Sequence, residues 1–558
     1  MSAPQSTWLK EQWEQFIYFR RREWILLKRQ GPGQLQFWFI ALLVGIGAGY
    51  VALAFRLAIS FLQKMFYGAD DVMLASAARE LDWYIILFLP AFGGLLVGLI
   101  LWKFTPDGRA RSVAHVIEGA AIGEGRVEKK IARASALASL ITLSTGGSTG
   151  REGPVVHLGA ALSTTVSNFI RADGITAREL MGCAVAAAVA VSFNAPIAGA
   201  LFALEVVLRH FAVHAFAPIA IASVAGAVIG RFHIGEASEF ILAEQMVGFY
   251  RELPAFMILG LVCGFVAVSM MKSIFLAEDW GDHFCSVFKV PPWARPAFAG
   301  LILGFIALKF PHIIGVGYET TFLALSGELV FATAFLFAAI KVVAVAVTVG
   351  GRMGGGVFSP ALMLGALTGL AFGHLATSIF PDVSGSATVY ALAGMAAVAS
   401  SVLGAPISTT LIVFELTGDW QVGIAVLVAV SVSSILSSRL VDRSFFLTQL
   451  ERRGVHLSDG PAGYLLSTIK VGRLMRSAGS EGAISPVKAK KLIKKGKWLD
   501  EDMTLEEALP FLEHSGRKYL PVIQSVGEEK RYVGVIFLVD ALKSYNKALI
   551  ETSKEEHA

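Results

Sequence analysis

The chain has 558 residues, of which 55% are hydrophobic and 16% charged, with a mean hydropathy of +0.62 and a formal net charge of +5. That composition excludes a soluble globular protein of this length and describes a polytopic membrane protein. The basic excess lies toward the two ends, so it reads as membrane topology with both termini cytoplasmic, and not as nucleic-acid binding.

Residues 1–35 carry Arg20, Arg21, Arg22, Lys28 and Arg29 among Trp8, Trp13, Phe16, Tyr18 and Trp24. They are too charged for a signal peptide and have the pattern of a cytoplasmic amphipathic helix at the membrane interface. A membrane domain follows over residues 36–442. Its apolar runs fall at 37–54, 84–102, 256–268, 297–308, 330–349 and 422–436, the better ones approaching the roughly 20 residues that span a bilayer. Residues 184–191 and 391–402 are dominated by Ala, Val, Gly and Ser, a composition suited to close helix packing or half-membrane helices. Cys183, Cys263 and Cys285 have no metal-ligand spacing and read as lone core residues.

Residues 144–160, STGGSTGREGPVVHLGA, put the carboxylate of Glu152 among five glycines. An acid at membrane depth is costly. The glycines let backbone N–H groups converge, and a helix starting at Pro154 points its positive end into the same volume, a place that attracts anions. Glu152 then sits where an anion would sit, as a competitor of a permeating ion.

Two internal echoes define the architecture. GREGPVVHLGA (150–160) resembles GGVFSPALMLGA (355–366), with Glu152 over Phe358 and Pro154 over Pro360. Further on, NAPIAGALFALEV (194–206) matches GAPISTTLIVFEL (404–416), in each case an Ala-Pro followed nine residues after the proline by a glutamate, Glu205 or Glu415. An ordered pair of repeats is a transporter signature, with the site where broken helices meet. Glu205 and Glu415 read as structural acids bonded to a neighbouring loop's backbone amides, and His115 and His157 as structural histidines outside the site.

Hydropathy collapses after Ser444. Residues 443–467 read as a linker, 468–548 as a small α/β unit, and 549–558 as a charged tail. Thr504 to Leu509 has capping-box spacing and a helical period, while 518–523 and 531–537 are strand-like. Lys488 to Lys497 forms a basic cluster, read as a solvated loop with contact to anionic lipid as the sharper alternative.

These motifs resemble the CLC family of chloride channels and proton/chloride antiporters over almost all of residues 30–450. GREGP (150–154) matches that family's motif letter for letter, GVFSP (356–360) fits its G-x-F-x-P pattern, and FNAP (193–196) and FELTGDWQ around Glu415 fit as well. The resemblance implies an α-helical polytopic fold of many tilted and broken helices in an inverted repeat. It also implies a homodimer in membrane lipid with one anion pathway per subunit, and chloride as the bound ion with no other cofactor. By position, Glu152 is the gate. Ser112 and the backbone N–H groups of Arg151, Glu152, Gly153, Val357 and Phe358 line the anion pathway.

Four positions depart from the family pattern. The G-S-G-I-P segment reads Arg111-Ser112-Val113-Ala114-His115, which keeps the serine and loses its glycine and proline neighbours. The tyrosine expected behind the central anion falls on Phe446, one hydroxyl donor fewer. The inner proton-relay glutamate of the antiporters falls on Val206, which cannot relay a proton. The C-terminal unit resembles a single CBS unit where pairs are usual, and Phe537 replaces the Ser/Thr expected three residues before the ribose-position Asp540, which argues against nucleotide binding. The function read from this set is passive chloride conduction through a CLC-type homodimer, with proton/chloride exchange, or transport of nitrate or fluoride, as alternatives. An embedded sensor or enzyme is the remote alternative: GGSTGRE lacks the Lys-Ser/Thr of a phosphate-binding loop, and there is no HExxH.

Overall fold

The computed structural model describes residues 33–211, 213–235, 251–455, 457, 469–480, 483–526 and 529–557. The segment read as an amphipathic helix over 1–35 lies outside these except for its last three residues, as do residues 456 and 458–467 of the linker. The chain divides into two compact units, one of residues up to Leu208 with Phe216–Leu450, the other of Arg209–Ala215 with residues from Glu451 onward.

The first unit is helical. Among the described residues, 8 helices are long and apolar enough to cross a membrane. Two of them, Gln34–Tyr67 with 34 residues and Leu253–Val287 with 35, are about 50 Å long at 1.5 Å per residue. Both exceed the ~30 Å hydrocarbon thickness and must tilt or project from it. Others are too short to cross alone. Pro196–Phe202 runs into a π-helical turn, Ala203–Leu208, and its echo Pro406–Thr417 has 12 residues. In each, the proline occupies the first helical position, where its missing N–H costs nothing.

Small residues let the helices pack backbone to backbone. A Cβ added at Gly94 would lie 2.1 Å from the Pro296 carbonyl oxygen, and one at Gly300 2.0 Å from that of Pro90, so helices Trp83–Phe104 and Arg295–Ala307 meet without side chains between them. The glycines paired by the first echo behave alike. A Cβ at Gly159 would be 3.1 Å from Ala184 O on the following helix, and one at Gly365 2.2 Å from Gly394 O on its own following helix. The Ala/Val/Gly segments at 184–191 and 391–402 are those following helices, and almost every side chain in them is buried.

The two repeats exchange hydrogen bonds reciprocally. Ser148 N donates to Thr348 Oγ1 at 3.1 Å, and Gly354 N donates to Thr142 Oγ1 at 3.1 Å. Between them, Gly150 and Gly356 form an antiparallel bridge, with N–H to O distances of 2.7 and 2.8 Å. Thr142 and Thr348, Ser148 and Gly354, and Gly150 and Gly356 are each 206 positions apart. The inverted repeat is therefore sewn together along a pseudo-twofold axis at this bridge, and helices Glu152–Ile170 and Phe358–Ile379 start from it with opposed N-termini.

The stretch read as a linker begins as a helix, Phe445–Glu451, with Phe445, Phe446 and Leu450 buried. The second unit is a four-stranded sheet of order β1-β4-β3-β2, where β1 is Arg476–Ser477, β2 Leu499–Asp500, β3 Tyr519–Val526 and β4 Glu529–Phe537. β2 pairs parallel with β3, and β3 antiparallel with β4. Helix Leu505–His514 carries the expected capping box, Thr504 with Glu507, and packs Leu505, Ala508 and Leu512 against Leu520, Val522 and Ile536. Helix Leu538–His557 runs on through the residues read as a tail.

Gly365→Val should overpack the contact with Gly394 O. A loss of about 1–3 kcal/mol or more is expected, seen as a lower midpoint of thermal unfolding in detergent; an unchanged midpoint would mean that this helix pair separates without cost.

Candidate functional site

The glycine loop delivers Glu152 to the junction of the two repeats. Its helix starts at Glu152, two residues before the start expected at Pro154. Pro154 is tolerated because the first turn needs no intrahelical N–H partner. Glu152 therefore stands on the first turn itself, 1% exposed. Its Oε1 accepts from Ser359 Oγ at 2.5 Å and from Tyr318 OH at 3.3 Å. Gly150 has to be glycine because a Cβ there would lie 2.7 Å from Glu152 Oε2 and 3.1 Å from Ser359 N.

The neighbouring charge is led away from this volume. Arg151 is buried with its Nη1 at 3.6 Å from Asp71 Oδ2, and its guanidinium carbon lies 4.8 Å from the centre of the Tyr318 ring. Asp71 in turn accepts from Gln63 Nε2 at 2.6 Å. Arg151 thus offers the junction its backbone while its side chain braces Asp71 and Tyr318. Gly153 approaches the other repeat closely, since a Cβ there would be 3.2 Å from Gly356 Cα and 3.7 Å from Ser112 Cβ.

On the opposite side, Val357 is the N-cap of helix Phe358–Ile379, and both Val357 and Phe358 are buried. The Phe358 ring packs on Phe193, with centroids 4.7 Å apart, and on Phe202 at 5.7 Å. The FNAP segment thereby holds the residue whose backbone N–H opens the second helix. Ser112 is the N-cap of helix Val113–Ala121. Without the glycine and proline of the family segment, its loop is held by Arg111 N donating to Ser135 Oγ at 2.9 Å, Arg111 Nη1 to Asp107 Oδ2 at 2.9 Å, and Ser112 N to His115 Nδ1 at 3.1 Å. His115 has a structural task, and its ring lies 6.4 Å from that of His157. Ser112, Arg151, Glu152, Gly153, Val357 and Phe358 thus gather round one junction. Phe446 is fixed in its short helix with its ring edge-on to Phe445, and its assignment to the pathway stays with the family resemblance.

Opposed helix N-termini supply partial positive charge, about half a unit each, without a full cation that would trap an anion. Such a junction favours negative charge, and the Glu152 carboxylate stands in it.

Glu205 and Glu415 do structural work, and the structure adds a partner that sequence does not reveal. Glu415 accepts from Ile197 N at 2.9 Å and Ala198 N at 2.8 Å; Glu205 accepts from Ile407 N at 2.9 Å and Ser408 N at 2.8 Å, and from Ser408 Oγ. Each acid satisfies the first N–H groups of the other repeat's Ala-Pro helix. Val206, beside Glu205, is buried in the π-turn.

Three residues near Glu152 escaped the sequence reading. Ser359 lies inside the GVFSP motif, one position past Phe358. Tyr318 follows Gly317, whose φ of +91° only glycine adopts readily. Lys341, fully buried in the apolar run at 330–349, directs Nζ toward the carbonyls of Ile313 and Gly315 at 3.4 and 3.5 Å, and so holds the loop that presents Tyr318. In the second unit, Asp540 is held by Arg476 Nε and Nη2 at 2.9 and 2.7 Å.

The family model described as voltage gated chloride channel matches residues 93–438. The chain is 31% identical over 413 residues to the voltage-gated ClC-type chloride channel ClcB of Salmonella typhi, covering 73% of this chain and 97% of that one. Among solved structures it is similar to a slow cyanobacterial Cl−/H+ antiporter, at TM-score 0.67 and 21% identity over 76% of this chain and 98% of that one. It is also similar to a CLC-type fluoride/proton antiporter, at TM-score 0.61 and 20% identity over 72% and 95%.

Glu205→Ala leaves Ile407 N and Ser408 N without their acceptor. An unsatisfied buried group costs about 1–3 kcal/mol; Ser408 N is part-buried and Ile407 N lies at an exposed position, so the variant should unfold at lower temperature than wild type mainly through Ser408, with Glu205→Gln between them, as read by monodisperse yield after a heating series.

Proposed function

The chain belongs to the voltage-gated chloride channel family, and on that premise we propose that it conducts chloride passively through a glutamate-gated pathway. Members of this family move small anions across membranes and are not enzymes. In this reading the ionised Glu152 carboxylate blocks the outer anion site and leaves it on protonation, so external acid opens the pathway. The observation that carries it is a buried carboxylate at the meeting point of two opposed helix N-termini, where its negative charge is favoured for the same reason that chloride would be. Arg151, Gly153, Val357 and Phe358 contribute backbone N–H groups, and Ser112 contributes its hydroxyl further along. The protein works as a homodimer in the cell membrane, one pathway per subunit, with both termini cytoplasmic and no cofactor beyond the bound anion.

Passive conduction is supported by what stands behind the gate. Val206 has no proton to carry, and the adjacent Glu205 is committed to the amides of Ile407 and Ser408. Proton-coupled exchange is the second reading, favoured by the activities named for the two solved structures above. The second of those names fluoride, which keeps that anion, with nitrate, among the alternatives.

In liposomes, the purified protein should pass chloride faster as external pH falls, and Glu152→Gln should conduct without pH dependence; a wild-type pH response in that variant would remove Glu152 from the gate. In the same vesicles, a chloride gradient should drive no uphill proton movement, and sustained proton pumping would replace the channel with an antiporter.

A further inference from the structure

If a carboxylate occupies an anion's place, the groups that donate to it are the groups an anion meets there. Glu152 Oε1 has two hydroxyl donors, Ser359 Oγ at 2.5 Å and Tyr318 OH at 3.3 Å. Both residues are buried. Ser359 stands on the first turn of helix Phe358–Ile379, one residue past the Phe358 amide. Tyr318 is the first residue of helix Tyr318–Leu325, and its ring is braced from two sides: Arg151, paired with Asp71, lies over one face, and the loop before it is held by Lys341. Neither hydroxyl is needed for packing a lipid-embedded helix, and both converge on one oxygen.

We propose that Ser359 and Tyr318 form a hydroxyl clamp that holds the ionised gate and, when Glu152 leaves, donates to the permeating anion, making these two side chains selectivity determinants of the outer site. This rests on the reading of Glu152 as the gate. Hydrogen bonds to an ionised acceptor are short and strong, and the gain is largest for a small anion of high charge density. The clamp therefore favours chloride over iodide at a site otherwise lined by amides. It also favours the ionised form of Glu152, because hydrogen bonding to the charged state stabilises that state. The charged and titratable groups around Glu152 are Tyr318, Arg151 with Asp71 beyond it, Lys341 behind the Gly315–Gly317 loop, and His157 on its own helix, with His115 alongside.

The test is anion flux in liposomes over a pH series, for wild type, Ser359→Ala and Tyr318→Phe, with Ser359→Thr as the hydroxyl-retaining control. Losing the short bond from Ser359 should move the pH midpoint of opening upward, toward less acidic pH, by about one unit or more; Tyr318→Phe should move it the same way by less, and Ser359→Thr should keep the wild-type value. The chloride-to-iodide flux ratio is then compared between Glu152→Gln alone and Glu152→Gln with Ser359→Ala, where the gate carries no charge. The ratio should fall severalfold on removing the hydroxyl. An unmoved midpoint in Ser359→Ala, or an unmoved ratio in the double variant, overturns the clamp, provided that Glu152→Gln has lost its pH response. If Glu152→Gln keeps that response, it is the gate reading that fails, and an unmoved ratio alone then decides against the clamp.

Discussion

Two backbone hydrogen bonds between Gly150 and Gly356 are the constraint on which the rest depends. They join the repeats where helices Glu152–Ile170 and Phe358–Ile379 begin, and a Cβ at either glycine would lie within 3.0 Å of a neighbouring atom. Once this bridge is made, Glu152, Gly153, Val357 and Phe358 have no freedom left in where their backbone N–H groups point. The exchange of Ser148 and Gly354 amides with Thr348 and Thr142 hydroxyls fixes the next layer out. A junction built this way is held by main chain, and it is symmetric because both repeats supply the same parts. The side chains differ, an acid at Glu152 against an aromatic at Phe358, and that difference breaks the symmetry of the junction.

Much of this was legible in the sequence, since glycine, proline and the repeat spacing mark backbone conformation locally. The two echoes located both helix starts, and the small-residue segments at 184–191 and 391–402 announced the close packing that the structure confirms. Glu205 and Glu415 were legible as acids bonded to amides, but not as a reciprocal pair, because sequence carries positions and not partners. The helix start at Pro154 was two residues late for a related reason: proline marks a first turn without saying which residue of it. Tyr318, Ser359 and Lys341 stayed hidden because sequence does not show that positions 166 to 207 residues past Glu152 fold back to its neighbourhood. Lys341 in particular reads as a blemish in an apolar run until its carbonyl partners at Ile313 and Gly315 are known.

The departures at Ser112 show how a loop survives the loss of its glycine and proline. Arg111 and His115 hold by hydrogen bonds a geometry that the family pattern holds by backbone preference, and the serine still reaches the N-cap of its helix next to Gly153. This solution adds a guanidinium and an imidazole, Arg111 Nη1 and His115 Nε2 being 3.0 Å apart, to the flank of the serine. Local electrostatics there differ from those of a loop held by glycine and proline alone.

The reciprocal capping by Glu205 and Glu415 has a consequence for how the chain is made. After synthesis of the first repeat, the amides of Ile197 and Ala198 and the carboxylate of Glu205 are all in place, yet none has the partner that stabilises it, because those partners lie more than 200 positions further on. The first half must therefore wait, with part of its polar surface unsatisfied, until the second half arrives. A solitary repeat could close these bonds only against a copy of itself, each copy's acid capping the other's helix, so the contact that completes the monomer has the form of a dimer contact drawn inside one chain.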